Sequence, residues 1–346
     1  MRTSPKFTNN FDLLRLVFAS SVYFHHAYAL TLSPDLRILA RWCNVEFALN
    51  SFFVISGFLV FLSYYNSDST MQYFLKRAAR IYPAYFSVII LCSFLGVFLT
   101  TAPTSEYFSL DLLKYVTANL LFMNFLAPEL PGVFTHNSLQ AVNGALWTIR
   151  TEVMCYCCVP IIGALLNKFN RTIVFSGLYL LAYGVFSGLL IVASRSDSRT
   201  LFNVAYLPWH FLCFLSGGIL YSFFENYKKH PAAFFLLALV VYSGGALLDL
   251  SLLKPLSLAV IVVYLAYFAF YAGNFGKYGD LSYGVYIVHF PILQVLISYG
   301  LFTTHPLFSF TGATILIVIV SYCSWHIIEK PFLKRNSHYI IASKEK

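Results

Sequence analysis

Ten apolar runs, each about long enough to cross a bilayer, recur along this chain at about 11–31, 46–65, 82–101, 142–166, 172–193, 205–224, 232–248, 255–272, 281–301 and 308–328. A helix needs roughly 20 residues to span the hydrocarbon core. Backbone polar groups in lipid must be satisfied inside the segment, so runs of this kind fold as α-helices. The expected fold class is therefore all-α: a polytopic integral membrane helical bundle of about ten transmembrane helices. Composition points the same way, with 59% hydrophobic and only 11% charged residues. Soluble domains carry about 25% charged residues, so this chain has too little polar surface to coat a water-soluble globule of its size. The 346 residues read as a single membrane domain with its core at about 11–332 and a basic tail over 333–346. That leaves no room for a sizeable soluble domain beside it.

The placement of Lys and Arg sets the expected orientation. With the ten spans alternating from a cytoplasmic N-terminus, both termini are cytoplasmic. Fifteen of the 23 basic residues, among them Lys76, Arg77, Arg80, Lys168, Arg171, Lys228 and Lys229, then face the cytoplasm. Six face outward (Arg37, Arg41, Lys114, Arg195, Arg199 and Lys254), and Arg15 and Arg150 fall within spans. This is the positive-inside bias. The stretch 112–127 is apolar but short, and reads as re-entrant or interfacial. An eleventh span there would turn every later basic loop outward. No small-residue cleavage site follows the first run, which therefore reads as a retained span and not a signal peptide. The net charge of +9 does not imply nucleic acid, because the basic residues sit in short loops where topology accounts for them. The seven cysteines lie mostly in apolar runs and read as small buried hydrophobes; Cys155 and Cys158 have C-x-x-C spacing but no second pair, so no metal is expected.

Ionisable groups inside spans are costly there and mark candidate function. In the first run, Arg15 and His26 are eleven residues apart. At 100° per residue that brings them within about 20° of a common face, about 16 Å apart along the axis, whereas His25 is turned away by about 100°. A cation near the membrane surface with an imidazole below it suits a reaction path down that face; equally, Arg15 snorkels to lipid phosphate and His26 makes a structural bond. Lys76, Arg77 and Arg80 follow the second run. Arg77 and Arg80 are spaced so that a helical turn aims both guanidinium groups one way, as a phosphate site requires, although a topology anchor needs the same residues. Arg150 and Glu152 are about 200° apart on a helix and so do not pair with each other. Glu152 can orient a hydroxyl substrate, hold His26 in one tautomer, or pair with Arg15. Tyr286 and His289 share a face just before Pro291 and fit either a polar lining or a packing bond. His210 and the segment from His326 to Phe332 read as structural.

No G-x-S-x-G, H-E-x-x-H, Walker A or G-x-G-x-x-G pattern occurs, so no known serine elbow, metal cage or nucleotide loop is present. Taken in order, the segments resemble the membrane-bound acyltransferase 3 family. They are Arg15-x10-His26; Asn50 to Leu59 (NSFFVISGFL); Arg77-x-x-Arg80 ending in Tyr82-Pro83; Leu146-Trp147-Thr148 leading to Glu152 and Tyr156; Ser282 to Tyr286 (SYGVY) with His289 and Pro291; and Ile328-Glu329-Lys330-Pro331-Phe332. Three places depart from the pattern: Val45-Glu46 stands a few residues before the position where Gly-Val-Asp commonly precedes the Phe-Phe-Val run, Val153 stands where a second carboxylate is common, and Arg150 where a small Ser is common.

The resemblance implies an acetyl-CoA-dependent O-acetyltransferase of the bacterial inner membrane. It would move an acetyl group onto a hydroxyl of a cell-surface polysaccharide or its lipid-linked precursor. It also implies His26, Arg15 and Glu152 as catalytic residues, with His26 acting as general base or transient acyl carrier. Arg77, Arg80 and Lys76 would hold the phosphates of CoA, and Tyr286, His289 and Trp147 would line the acceptor side. The rival class is a proton-coupled secondary transporter of a small polar substrate, which also needs ionisable residues in its spans; no inverted repeat supports it.

Overall fold

A computed structural model describes residues 9–196, 198–244 and 250–333. Most of the basic tail, together with Arg2 and Lys6, lies outside the described residues. Within them the chain is helical, with no strand. The principal helices are α1 (Phe11–Thr31), α2 (Val45–Tyr65), α3 (Thr70–Leu95), α4 (Leu110–Leu120), α5 (Leu146–Lys168), α6 (Arg171–Ser196), α7 (Arg199–Ser222), α8 (Pro231–Gly244), α9 (Lys254–Tyr267), α10 (Leu281–Ser298) and α11 (Pro306–Cys323).

Seven helices among the described residues are long and apolar enough to cross a membrane: α2, α3, α5, α6, α7, α10, and α11 with its extension to Phe332. The other three of the ten runs differ for physical reasons. α1 has the length, at 21 residues, but Asp12, Arg15, His25 and His26 lower its hydropathy. α9 is apolar but only 14 residues long, and the described part of α8, to Gly244, is also 14. The stretch 112–127 is divided between α4, which ends at Leu120, and an irregular segment that runs to α5. The basic segment expected as a loop before the third span is instead the N-terminal part of α3, so Lys76, Arg77 and Arg80 all sit on one helix. A π-helical turn, Ser324–Glu329, carries the last helix on to Phe332, one residue past Pro331.

The helices form two compact units. The first comprises residues 9–11, Leu49–Phe74 and Thr151–Gly273. In it α6 packs on α7, α8 on α9, and α9 on α7. α2 and α7 meet backbone to backbone: a Cβ on Gly57 would lie 1.9 Å from the carbonyl oxygen of Phe214, and one on Gly217 2.1 Å from that of Val54. Small residues permit this approach where the hydrophobic effect between lipid-facing helices is weak. Asn10 ties the chain start to the end of α9, its amide donating to Leu265 O at 3.2 Å and Phe270 O at 3.0 Å.

The second unit comprises Asp12–Ala48, Leu75–Arg150 and residues 274–333. α10 packs on α11. α1 lies against α11 through Tyr23, whose hydroxyl is 2.8 Å from Thr314 Oγ1 and whose ring stacks on Phe310. The irregular segment before α5 is stitched to α10 by Gln294, which donates to Leu139 O at 2.6 Å and Ala141 O at 2.8 Å and accepts from Asn137 at 2.9 Å. These bonds satisfy buried backbone that no helix ladder serves.

Candidate active site

In the second unit, α1 and α10 bring two imidazoles together. His26 Nδ1 lies 2.8 Å from His289 Nε2, with the rings nearly parallel at 11°. His289 is fully buried and His26 only partly so. The other ring nitrogen of His289, Nδ1, donates to the carbonyl of Val285, one turn earlier on α10, at 3.0 Å. The edge of Phe290 closes on the His26 ring at 5.4 Å. Tyr286 lies on the His289 face of α10 and its hydroxyl is 2.5 Å from Thr148 Oγ1, near the start of α5. Trp147, beside Thr148, is half-buried. His25 sits beside the pair, its ring centroid 6.1 Å from that of His26 and tilted by 63°.

A chain of charges lies further along α1. Arg15 meets Asp12 at 2.5 Å and Asp280 at 3.2 Å. Asp280 also pairs with Arg80, and Arg80 reaches Glu329 at 2.9 Å. Asp280 and Glu329 are almost wholly buried, so each needs the guanidinium groups beside it. The local backbone explains their aim. Asp280 caps α10 by accepting from Ser282 N at 3.0 Å. Gly279 before it has φ +96°, and a Cβ there would sit 2.1 Å from Trp325 Nε1, so only glycine fits. The π-helical turn holds Glu329, where Ser324 Oγ donates to it at 3.1 Å. Tyr283 and Trp325 lie 5.5 and 5.8 Å from the Arg80 guanidinium. Lys76 and Arg77 precede Arg80 on α3, half-buried. Arg150 lies over the Phe125 ring at 4.7 Å.

In the first unit, Glu152 is half-buried on α5. Its Oε1 accepts from Ser56 Oγ on α2 at 2.7 Å and from Tyr156 OH at 2.5 Å. Tyr73 OH donates to the Tyr156 carbonyl at 2.9 Å. Two hydroxyls therefore hold the carboxylate in a fixed orientation.

A family model for an acyltransferase domain matches residues 8–326. The chain belongs to the acyltransferase 3 family. An O-acetyl transferase of Shigella phage Sf6 is 30% identical over 337 residues, covering 95% of this chain and 97% of the relative. Nodulation protein 10 of Rhizobium leguminosarum bv. viciae is 25% identical over 366 residues, covering 94% and 93%. No solved structure matches the chain.

The protein is thus an integral membrane acyltransferase. Within its second unit His26 and His289 are in direct contact, and Tyr286 lies on the same helix face. Arg15 and Arg80 converge on one carboxylate. Glu152 has its hydroxyl partners in the first unit. Asp280 and Glu329 carry no mark in the sequence as partners of Arg15 and Arg80, because hundreds of residues separate them. The available signal was charge cost: a carboxylate beside a long apolar run demands a cation, and Arg15 and Arg80 were the cations at hand. Ser56 as a partner of Glu152 was equally hidden, since hydroxyls are common in spans, whereas Tyr156 lies one helical turn on from Glu152, a spacing the sequence does show.

Proposed function

We propose that this acyltransferase moves an acetyl group from cytoplasmic acetyl-CoA onto a hydroxyl of a cell-surface polysaccharide or its lipid-linked precursor, with the chain acting as one acyltransferase domain in the bacterial inner membrane. The observation that carries this reading is the His26–His289 contact, an imidazole pair in a helical membrane protein whose phage relative, matched over 97% of its length, is an O-acetyl transferase. His26, partly exposed beside a fully buried partner, is the group that takes the hydroxyl proton. Lys76, Arg77 and Arg80 on α3 meet the phosphates of CoA, as clustered cations do. The two carboxylates at Arg80 give it a second task, fixing α3 to the start of α10 and the end of the last helix. Arg15 shares Asp280 with Arg80 and so ties α1 to the same cluster. Within the second unit Trp147, Tyr286 and His289 line the acceptor side; Glu152, in the first unit, keeps its reading as a carboxylate that orients a hydroxyl.

The test is incubation of the purified protein with acetyl-labelled acetyl-CoA, alongside mass spectrometry of surface glycans from cells with and without the gene. Thioester turnover and a glycan species heavier by one acetyl are expected. An intact thioester together with unchanged glycans would overturn the reading.

A further inference from the structure

We propose that His289 is a positioning residue that fixes the tautomer of His26, leaving the reactive lone pair on His26 Nε2; this rests on the reading of His26 as the base. The deduction begins at a backbone carbonyl. Val285 O can only accept, so the proton of that 3.0 Å bond belongs to His289 Nδ1. His289 is fully buried, and among the described residues no carboxylate lies at ion-pair distance from it; its other neighbours are the rings of Tyr23, Tyr286 and Phe290. A second proton on that ring would leave an unpaired charge in an apolar setting, at large cost. His289 is therefore neutral, and its Nε2 carries a lone pair. That lone pair faces His26 Nδ1 at 2.8 Å. A second lone pair there would repel it, so His26 Nδ1 carries the proton and donates. Nε2 of His26 is then bare, on the ring that remains partly exposed.

The arrangement parallels the orienting group of a catalytic triad, with an imidazole in place of a carboxylate. In the transfer step the acceptor oxygen loses its proton to His26 Nε2 while forming a bond to the acyl carbon. The bond from that carbon to the thioester sulfur breaks, and the thiolate takes the same proton back from Nε2. Between these events His26 holds both protons, and its Nδ1–H remains bonded to the His289 lone pair. Neither histidine gains or loses a proton over the cycle.

The experiment compares wild type, His289→Gln, His289→Leu and His26→Gln as purified full chains, with acetyl-CoA as the probe. Gln can place an acceptor oxygen near the position of Nε2, whereas Leu fills the space without one. The Leu variant should lose about 10²–10⁴-fold in kcat with KM for acetyl-CoA nearly unchanged, and the Gln variant should recover most of that loss. Wild-type kcat in the Leu variant, or equal loss in both, would overturn the proposal. Should the Leu variant fail to fold, ¹⁵N spectra of histidine-labelled wild type decide: His26 protonated at Nδ1 supports the proposal, and His26 protonated at Nε2 overturns it. Undiminished turnover in His26→Gln would instead remove the reading of His26 as the base, an outcome separable from the role of His289.

Discussion

At the scale of single residues, the sharpest contrast is between two adjacent histidines. His26 is bonded to His289, whereas His25 sits to one side of the pair. His26→Ala should abolish glycan acetylation while folded protein stays at normal abundance, because loss of a general base costs about 10²–10⁴ in rate; His25→Ala should be far milder. The readout is acetyl transferred per unit of detergent-stable protein for both variants side by side. Near-normal specific activity in His26→Ala, or greater damage from His25→Ala, would remove His26 from the chemistry. This contrast was legible in the sequence, because helix periodicity alone turns the two rings about 100° apart. The partner of His26 was not. Periodicity fixes which face of a helix a side chain occupies but not which helix that face meets, so the sequence offered Glu152 to hold the His26 tautomer and read His289 only as a lining or packing residue.

At the scale of elements, most helices could be read from apolar runs, but their ends could not. α3 begins twelve residues before its apolar run, because Lys76, Arg77 and Arg80 continue the helix without adding hydropathy. α9 is shorter than its run suggested. The salt-bridge chain from α3 to α10 and to the π-helical turn depends on those ends. Arg80→Gln would strand the buried Glu329 and leave Asp280 with Arg15 alone, and should cost about 3–5 kcal/mol of stability. Adding Glu329→Gln should return part of that loss, since it removes the stranded charge. Thermal stability in detergent for the single and double variants measures the coupling. Purely additive losses would mean that the two side chains do not support each other. Arg77→Lys should raise KM for acetyl-CoA, since Lys lacks the bidentate fork; an unchanged KM would leave Arg77 as a topology anchor.

At the scale of the whole molecule, the Lys and Arg bias makes the orientation testable. Cys43 follows a short helical turn after α1, on the side expected to face outward. An impermeant thiol reagent should label it in intact cells. In a Cys43→Ser background, Ser69→Cys, in the turn between α2 and α3, should label only after permeabilisation. Labelling of that introduced thiol from outside would reverse the orientation and remove Arg77 from the side where acetyl-CoA resides. The shared carboxylate at Asp280 also sets a schedule for synthesis. Arg15 leaves the ribosome 265 residues before Asp280, an interval of roughly 13–50 s at about 5–20 residues per second. Throughout that wait the acidic group beside Arg15 is Asp12, one turn away on its own helix. Asp12→Asn should therefore show itself in newly made chains, as faster loss of label in a pulse-chase, with activity per surviving molecule little changed. Equal lifetimes for variant and wild type would mean that the first helix needs no escort while it waits for its permanent partner.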